Sequence, residues 1–175
     1  MDSQQKGAVL ISVMIYMLVL SMLGISSMRS TAMEERMASN EWEHTRAFQA
    51  AESALIDAGQ WLLFQPDLIE ASGDGSSGVW QSGTVSDAIA NSSFGWSSSG
   101  ILYGSSSGEA TSLFDDLYSM PRYVIEESGF EPSDNDPDTL ATLTGVFYYR
   151  VSALGSGRSE GSRSVLQTTL EKHNN

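Results

Sequence analysis

The feature that most constrains this chain is an uncharged run of twenty-two residues, 7–28, which follows a polar leader of six residues. As an α-helix rising about 1.5 Å per residue, such a run is long enough to cross the roughly 30 Å hydrocarbon core of a bilayer. Residues 29–64 contain no proline and a single glycine, Gly59. The sequence therefore predicts that the membrane helix continues into water until Pro66 ends it.

A cleaved secretory signal is the alternative interpretation of these residues. Lys6 would supply its basic region, and Ser30-Thr31-Ala32 has the small side chains of a cleavage site. However, the apolar run exceeds the about 7 to 15 residues of such a signal, and Arg29 interrupts the approach to that site. We therefore favour a membrane anchor whose short N-terminus lies in the cytoplasm, and a specialised, processed anchor over a plain one.

The remaining residues suffice for one soluble domain. Of the 175 residues, about 110 follow the predicted helix, which is near the usual size of a domain. The chain contains no cysteine. Its stability must therefore come from packing, without disulfides or thiolate metal sites.

The net charge of −13 is concentrated in the middle of the chain. Residues 65–140 carry thirteen acidic side chains and one basic side chain, that of Arg122. Because phosphate backbones would repel such a segment, we expect the soluble domain to bind no nucleic acid directly.

An apolar stripe marks the face by which the helix is expected to pack on this domain. Its residues recur at helical spacing and are Phe48, Ala51, Leu55, Ala58 and Leu62, with Trp61, Leu63 and Phe64 enlarging the contact. Three later runs are rich in β-forming residues: 122–127, 145–154 and 164–170. The last two predict a hairpin with its turn over residues 155–161. The expected fold is α+β, with a long N-terminal helix covering a small antiparallel sheet.

The middle of the chain predicts a long, loosely structured excursion. Residues 71–108 are dominated by serine and glycine. Large apolar side chains such as Trp80, Phe94 and Trp96 are interspersed, which indicates that parts of the excursion dock on the domain. Short helices are expected over residues 86–90 and 112–118.

The sequence contains two matches to a catalytic motif, but neither has the flanking strand and helix that the motif requires. Residues 104–108 and 157–161 both match Gly-x-Ser-x-Gly, but neither lies between a predicted strand and a helix. The two histidines, His44 and His173, fall in the helix and beside the C-terminus, so no hydrolytic triad is expected. We predict no enzymatic activity and no cofactor.

Alternating carboxylates raise a hypothesis of calcium binding. Asp134, Asp136 and Asp138 lie in a proline-bounded acidic segment. An EF-hand loop would need glycine and glutamate where this chain has Thr139 and Gly145. An ordinary acidic turn is the interpretation we favour, with no metal site.

The N-terminal residues resemble those of a known family. A short polar leader ending in Lys6-Gly7, an apolar half-helix and an amphipathic continuation are similar to the class III signal of type IV pilins. The PilX family of minor pilins has an N-terminal signature similar to residues 34–40, EERMASN, and 46–55, RAFQAAESAL. Residues 149–155 and 165–169 resemble the C-terminal sheet of that family.

This resemblance implies a single-pass precursor in the inner membrane, with a periplasmic head that later joins a pilus. Prepilin peptidase would recognise Lys6 and Gly7, cut before Ala8 and methylate the new N-terminus. The other implied partners are further minor pilins, the major pilin and a tip adhesin. The implied divisions are a leader 1–7, a transmembrane or filament-core half-helix 8–28, an amphipathic helix 29–64, a variable region 65–144 and a C-terminal hairpin 145–175.

Two positions depart from the pilin pattern. Ala8 replaces the usual phenylalanine at the first mature position, and Ser12 replaces the usual glutamate at the fifth. In pilins that carboxylate is thought to neutralise the N-terminal amine of a neighbouring subunit, so its loss favours a place at the filament tip. Alternatively, Ser12 hydrogen-bonds within its own helix and the heads set the position. Phe48 and Leu55 would serve assembly by fixing the head on the helix.

The function expected from this resemblance is that of a minor pilin in a priming or tip complex that initiates pilus assembly. Cell adhesion and twitching motility depend on such filaments. One alternative is a GspK-like tip pseudopilin of a type II secretion system. Another is an uncleaved, membrane-anchored periplasmic binding protein.

Overall fold

The computed structural model describes residues 4–105, 114–134 and 136–174. Its helices are α1 (Gln4–Phe64), α2 (Ser86–Ala90), α3 (Trp96–Ser99) and α4 (Pro137–Ala141). Its strands are β1 (Val79–Trp80), β2 (Ile101–Leu102), β3 (Arg122–Pro132), β4 (Gly145–Ser156) and β5 (Arg163–Asn174). The chain divides into two compact units, residues 1–42 and 43–175. Helix α1 contributes to both, because the boundary falls within it.

The first unit contains the apolar part of α1. This helix is long and apolar enough to cross a membrane, and none of its apolar window is buried. The uncharged sequence explains both properties, because a helix that is hydrophobic on every side needs an apolar environment. The predicted long helix is confirmed, ending at Phe64 just before Pro66.

The second unit is an α+β head, as predicted. Its sheet has the order β1-β3-β4-β5, with β2 also paired to β3. Strands β3, β4 and β5 are antiparallel, whereas the two-residue β1 runs parallel to β3. The sheet is therefore mixed, whereas the sequence predicts an antiparallel one. The excursion pairs with β3 twice, through the parallel β1 and the antiparallel β2.

The strands are longer than the sequence predicts. β3 continues to Pro132 past a bulge between Glu127 and Gly129, and β5 continues to Asn174. The turn of the β4–β5 hairpin spans residues 157–162, so Gly155 lies inside β4 and outside the turn to which the sequence assigned it. Pairing along both long strands extends the ladder because no proline interrupts β4 or β5.

The helix face that packs on the sheet is made mainly of alanines. Ala47, Ala50, Ala51, Ala54 and Ala58 are buried, with Leu62 one turn further on. Ala54, Ala58 and Leu62 meet a sheet face built from the buried side chains of Tyr123, Ile125, Tyr149, Val151 and Ala153. Small side chains let the helix approach the strands closely, so the large residues of the core come from the sheet.

Part of the predicted packing stripe is therefore wrong. Phe48 is 48% exposed, and Leu63 and Phe64 are 70% and 82% exposed. Leu55 and Trp61 are half-buried and pack against the core. Phe48 and Leu63 each lie one position after a buried residue, which turns them about 100° away from the packed face, and Phe64 is the last residue of the helix.

The serine-rich excursion docks on the head at apolar points, as predicted. Val79 and Val85 are fully buried, and Phe94 makes edge-to-face contacts with Trp80 and Trp96. Helix α2 forms over the residues expected. The predicted helix 112–118 falls partly outside the described residues, and its described part contains a turn closed by Leu117 N–H donating to Phe114 O.

Candidate functional site

The apolar surface of the first unit is the most extensive candidate site. Its large hydrophobic side chains, from Val9 to Met28, are all between 45% and 74% exposed. Polar groups on this surface bond locally, as where Ser21 Oγ donates to Met17 O at 2.7 Å. Such serine bonds to the preceding turn lower the cost of placing a hydroxyl in an apolar environment. This surface can lie in a bilayer or pack against other apolar helices.

The residues expected to form the processing signal lie at the start of this surface. Lys6, Gly7 and Ala8 are in the first turns of α1, which begins at Gln4. The surroundings of their side chains fall outside the described part of the structure. Ser12 is exposed one helical turn after Ala8. These four residues therefore lie on one helical segment, in a different unit from Phe48 and Leu55.

In the second unit, a polar cluster ties the hairpin turn to the helix. A Glu43 carboxylate oxygen accepts the Arg158 N–H at 2.6 Å, and Arg46 forms an ion pair with Asp116. Arg158 also approaches Asp116, at 3.7 Å. Glu43 and Arg46 lie one turn apart on α1, but each finds its partner on another segment.

At the other end of the head, Lys172 caps helix α1. Its Nζ donates to the carbonyls of Gln65 at 2.7 Å, Asp67 at 3.1 Å and Leu62 at 3.3 Å. The last carbonyls of a helix have no partner within it, and a cation there also favours the helix dipole. Burial lowers the pKa of the Lys172 amine, and the negative charge of Asp67 opposes this shift.

Two buried carboxylates anchor the excursion to the head. Glu126, which is 3% exposed, accepts the N–H groups of Val85 at 3.0 Å and Ser86 at 3.4 Å, and lies 3.7 Å from Arg150. Asp57 of α1 accepts the Gly104 N–H at 2.8 Å. Glu126 thus holds the start of α2, and Asp57 holds the loop after β2, as buried charges do when they are hydrogen-bonded.

The residues considered above as catalytic groups or metal ligands lie in separate parts of the head. Ser159 lies in the β4–β5 turn, and His173 lies near the end of β5, 3.9 Å from Glu171. Asp134 Oδ1 accepts the Asp136 N–H at 2.6 Å, which is an ordinary turn contact. The side chain of Asp138 lies outside the described residues, and the described part of the chain holds no group of three potential metal ligands.

The comparison with known families decides the identity of the N-terminal region. A family model described as PilX N-terminal matches residues 6–55. Residues 6–55 of this chain therefore form a PilX N-terminal region. The PilX match starts at Lys6, covers the whole exposed apolar surface and reaches Leu55 on the packed part of α1. No curated protein and no solved structure matches the chain.

The PilX region and the fold agree. A single apolar N-terminal helix suits a one-pass anchor in the inner membrane, and the α+β head that follows is pilin-like. The PilX region supports a type IV pilus minor pilin in general. The features of the head that sequence reasoning missed are Gly155, Lys172 and Glu126. Of these, a glycine inside a strand is a recognisable signal of close backbone approach.

Proposed function

We propose that this PilX-family protein is a non-enzymatic subunit of the priming complex that starts pilus assembly, and that it occupies the pilus tip. The observation that carries the proposal is Ser12, a hydroxyl in place of the usual pilin carboxylate, one turn beyond the expected cleavage site. The PilX match supports a pilus subunit over a secretion pseudopilin.

The position of Ser12 matters because of the charge created by processing. Cleavage between Gly7 and Ala8 by prepilin peptidase gives a charged, methylated amine at the start of an apolar helix. Such a charge is costly among packed apolar helices unless a carboxylate compensates it. A serine offers no negative charge to the amine of a neighbouring subunit. The subunit therefore fits where no neighbouring amine requires a carboxylate from it, at the end of the filament.

The exposed apolar surface supports the mechanism. Before assembly, residues 8–28 hold the precursor in the inner membrane with its head in the periplasm. On assembly the same surface moves from lipid to the filament core, so an apolar environment is kept throughout. The head then presents the excursion of the variable region to other minor pilins or to a tip adhesin, and adhesion and twitching follow from the filament.

Deletion and labelling test this proposal. Cells lacking the protein are expected to carry few or no pili, and the wild-type gene should restore them. Because the chain has no cysteine, Ser82→Cys in an exposed loop accepts a single gold label. Electron microscopy should then show label at one end of each pilus. Label along the shaft would contradict the tip position, and normal piliation of the deletion strain would contradict the priming role.

A further inference from the structure

Strand β5 forms an open edge of the sheet. It pairs with β4 over all twelve of its residues, and the described residues place no strand on its other side. Every second residue of β5 is exposed, beginning with Arg163. A long unpaired edge is a template for a further strand, and natural proteins usually shorten, cover or interrupt such edges.

The hairpin shows which main-chain groups of β5 face outward. Gly157 N–H donates to Ser162 O at 2.7 Å, whereas Ser162 N–H donates to Ser159 O within the turn. The bond from Gly157 places this pair at a hydrogen-bonded position of the ladder. Hydrogen-bonded and non-bonded pairs alternate along an antiparallel ladder, and the register from Ser156 to Gly145 has no shift. The outward N–H and C=O groups therefore belong to alternate residues, which are Arg163, Val165, Gln167, Thr169, Glu171 and His173.

An apolar groove runs beside this edge. It has a volume of about 440 Å³ and is lined by Gly59, Leu62 and Leu63 of α1, by Leu170 of β5, and by Tyr148, Thr169 and Glu171 of the sheet. Gly59 leaves room there, since a Cβ at this position would only just touch the Leu170 side chain, at 3.5 Å. A strand added to β5 would place an apolar side chain in this groove, next to the exposed Leu63.

The charges along the edge indicate what the added strand carries. Arg163 lies at one end, in an exposed pair with Glu160 that a carboxylate of the partner can replace, and the exposed Glu171 lies near the other. The hairpin carries four basic residues, Arg150, Arg158, Arg163 and Lys172, against Glu160 and Glu171, a net charge of +2 in a chain of −13. A carboxylate of the partner opposite Arg163 would thus meet a basic part of an otherwise acidic protein.

A second copy of this chain would satisfy these charges, but pairing with it would make the helices of the two copies run in opposite directions. Antiparallel pairing of two β5 strands would relate the copies by a twofold axis perpendicular to the sheet. Helix α1 packs on a face of that sheet, so the axis would reverse the direction of residues 43–64 in one copy. Both copies must lead back to anchors in the same membrane. This argues against a symmetric β5–β5 pair, and we take the partner to be a different protein.

We propose that β5 binds an extended segment of another pilus protein by strand addition, through the outward main-chain groups of alternate residues 163–173. An apolar side chain of that segment enters the groove beside Leu63, and a carboxylate lies opposite Arg163. This inference rests on the proposed function for the place where the partner is met, the assembling tip complex. Beyond the proposed function, the inference specifies the binding surface and the kind of segment that binds to it.

Two matched substitutions at Thr169 distinguish the contribution of its main-chain N–H to binding from that of its side chain. Thr169→Pro removes an outward N–H and keeps the ladder to β4, because proline is tolerated on an edge strand at such a position. Thr169→Ala keeps the N–H and shortens the side chain. Both full-length chains should unfold at similar temperatures in detergent. Gln167→Pro serves in the same way should Thr169→Pro fail to fold.

The test uses a photo-crosslinking benzoylphenylalanine residue at Val165, Gln167 or Glu171 of the full chain in piliated cells, with crosslinked peptides sequenced by mass spectrometry. We expect all three positions to crosslink, in order, to one stretch of one other protein. Thr169→Pro should lower the yield about tenfold or more, whereas Thr169→Ala keeps it. Leu63→Gln should also lower it.

Other outcomes overturn the inference. These are crosslinks to a second copy of this chain, crosslinks scattered over several proteins or absent, and equal yields for the proline and alanine variants. Pilus counts in the same strains keep the two proposals distinct. If deletion abolishes pili but Thr169→Pro crosslinks like the wild type, only strand addition fails. If deletion leaves pili unchanged, the priming role fails.

Discussion

Gly155 of β4 lies so close to Ala51 of α1 that a Cβ on the glycine would overlap the alanine backbone nitrogen. The same Cβ would collide with the carbonyl oxygen of Ala47 and lie 3.0 Å from the carbonyl carbon of Ala50. Helix and strand thus touch through their backbones at this point. The alanine face of α1 and the glycine of β4 are two halves of one contact.

This contact predicts a large effect of Gly155→Ala. The obstacles are backbone atoms, which cannot rotate away, so the helix must shift from the sheet. We expect the free energy of unfolding to fall by about 3 kcal/mol or more, the upper end for overpacked cores. Gly161→Ala in the same hairpin is the control, because nothing lies within 4 Å of its Cβ. Equal losses in chemical denaturation of the two variants would contradict the contact.

Lys172→Met tests the cap at the end of α1. The substitution keeps the aliphatic stem and removes the donor to three carbonyls. We expect a loss of about 1 to 3 kcal/mol in the free energy of unfolding. Arg163→Met on the same strand breaks only an exposed pair with Glu160 and should cost about 0.5 kcal/mol or less. The cap has no role if the two variants are equally stable.

Glu126→Gln tests the anchor of the excursion. The amide keeps the shape of the side chain but weakens acceptance from Val85 and Ser86 and loses the charge facing Arg150. Hydrogen exchange at the amides of residues 85 and 86 should become about tenfold faster or more. Glu131→Gln, whose contact is an exposed bond from Tyr148, should leave those two amides unchanged. Unchanged exchange in Glu126→Gln would show that Glu126 does not hold residues 85 and 86 in place.

Tyr149 predicts a loss of stability at alkaline pH. Burial raises the pKa of its phenol, and the charge of Glu127 adds to the shift. The folded chain thus holds the proton more tightly than the unfolded chain does. This contribution is complete below the unfolded pKa of about 10 and is lost as the pH rises through the folded value. Above about pH 10, the wild type should lose stability more steeply than Tyr149→Phe in denaturation experiments. Parallel curves for the two proteins would refute the linkage.

Ser12→Glu tests the link between this position and the pilus tip. A carboxylate there would offer a counter-charge to the amine of a neighbouring subunit. With the gold label at Ser82→Cys, we expect the variant to enter the shaft as well as the tip. Ser12→Ala is the matched control and should stay at the tip. If both variants label only the tip, the heads and not residue 12 set the position.

The sequence predicts most of this architecture because its signals are local. The uncharged run and the absence of proline before Pro66 define α1, and alternation defines β4 and β5. The prediction for Phe48 is wrong because large apolar side chains usually mark the packed face of a helix, whereas the close approach at Gly155 selects alanines. The partners of Glu126 and Lys172 lie about 40 and more than 100 residues away, and residue spacing carries no signal for such contacts.

The intact mass of the mature protein tests the central claim most directly. Membranes should be prepared from cells with and without prepilin peptidase. In cells that contain the peptidase, a processed pilin would lack residues 1–7 and carry one methyl group on Ala8, and without the peptidase it would retain the full precursor mass. An uncleaved chain in both preparations would contradict the account and leave a permanently anchored periplasmic protein.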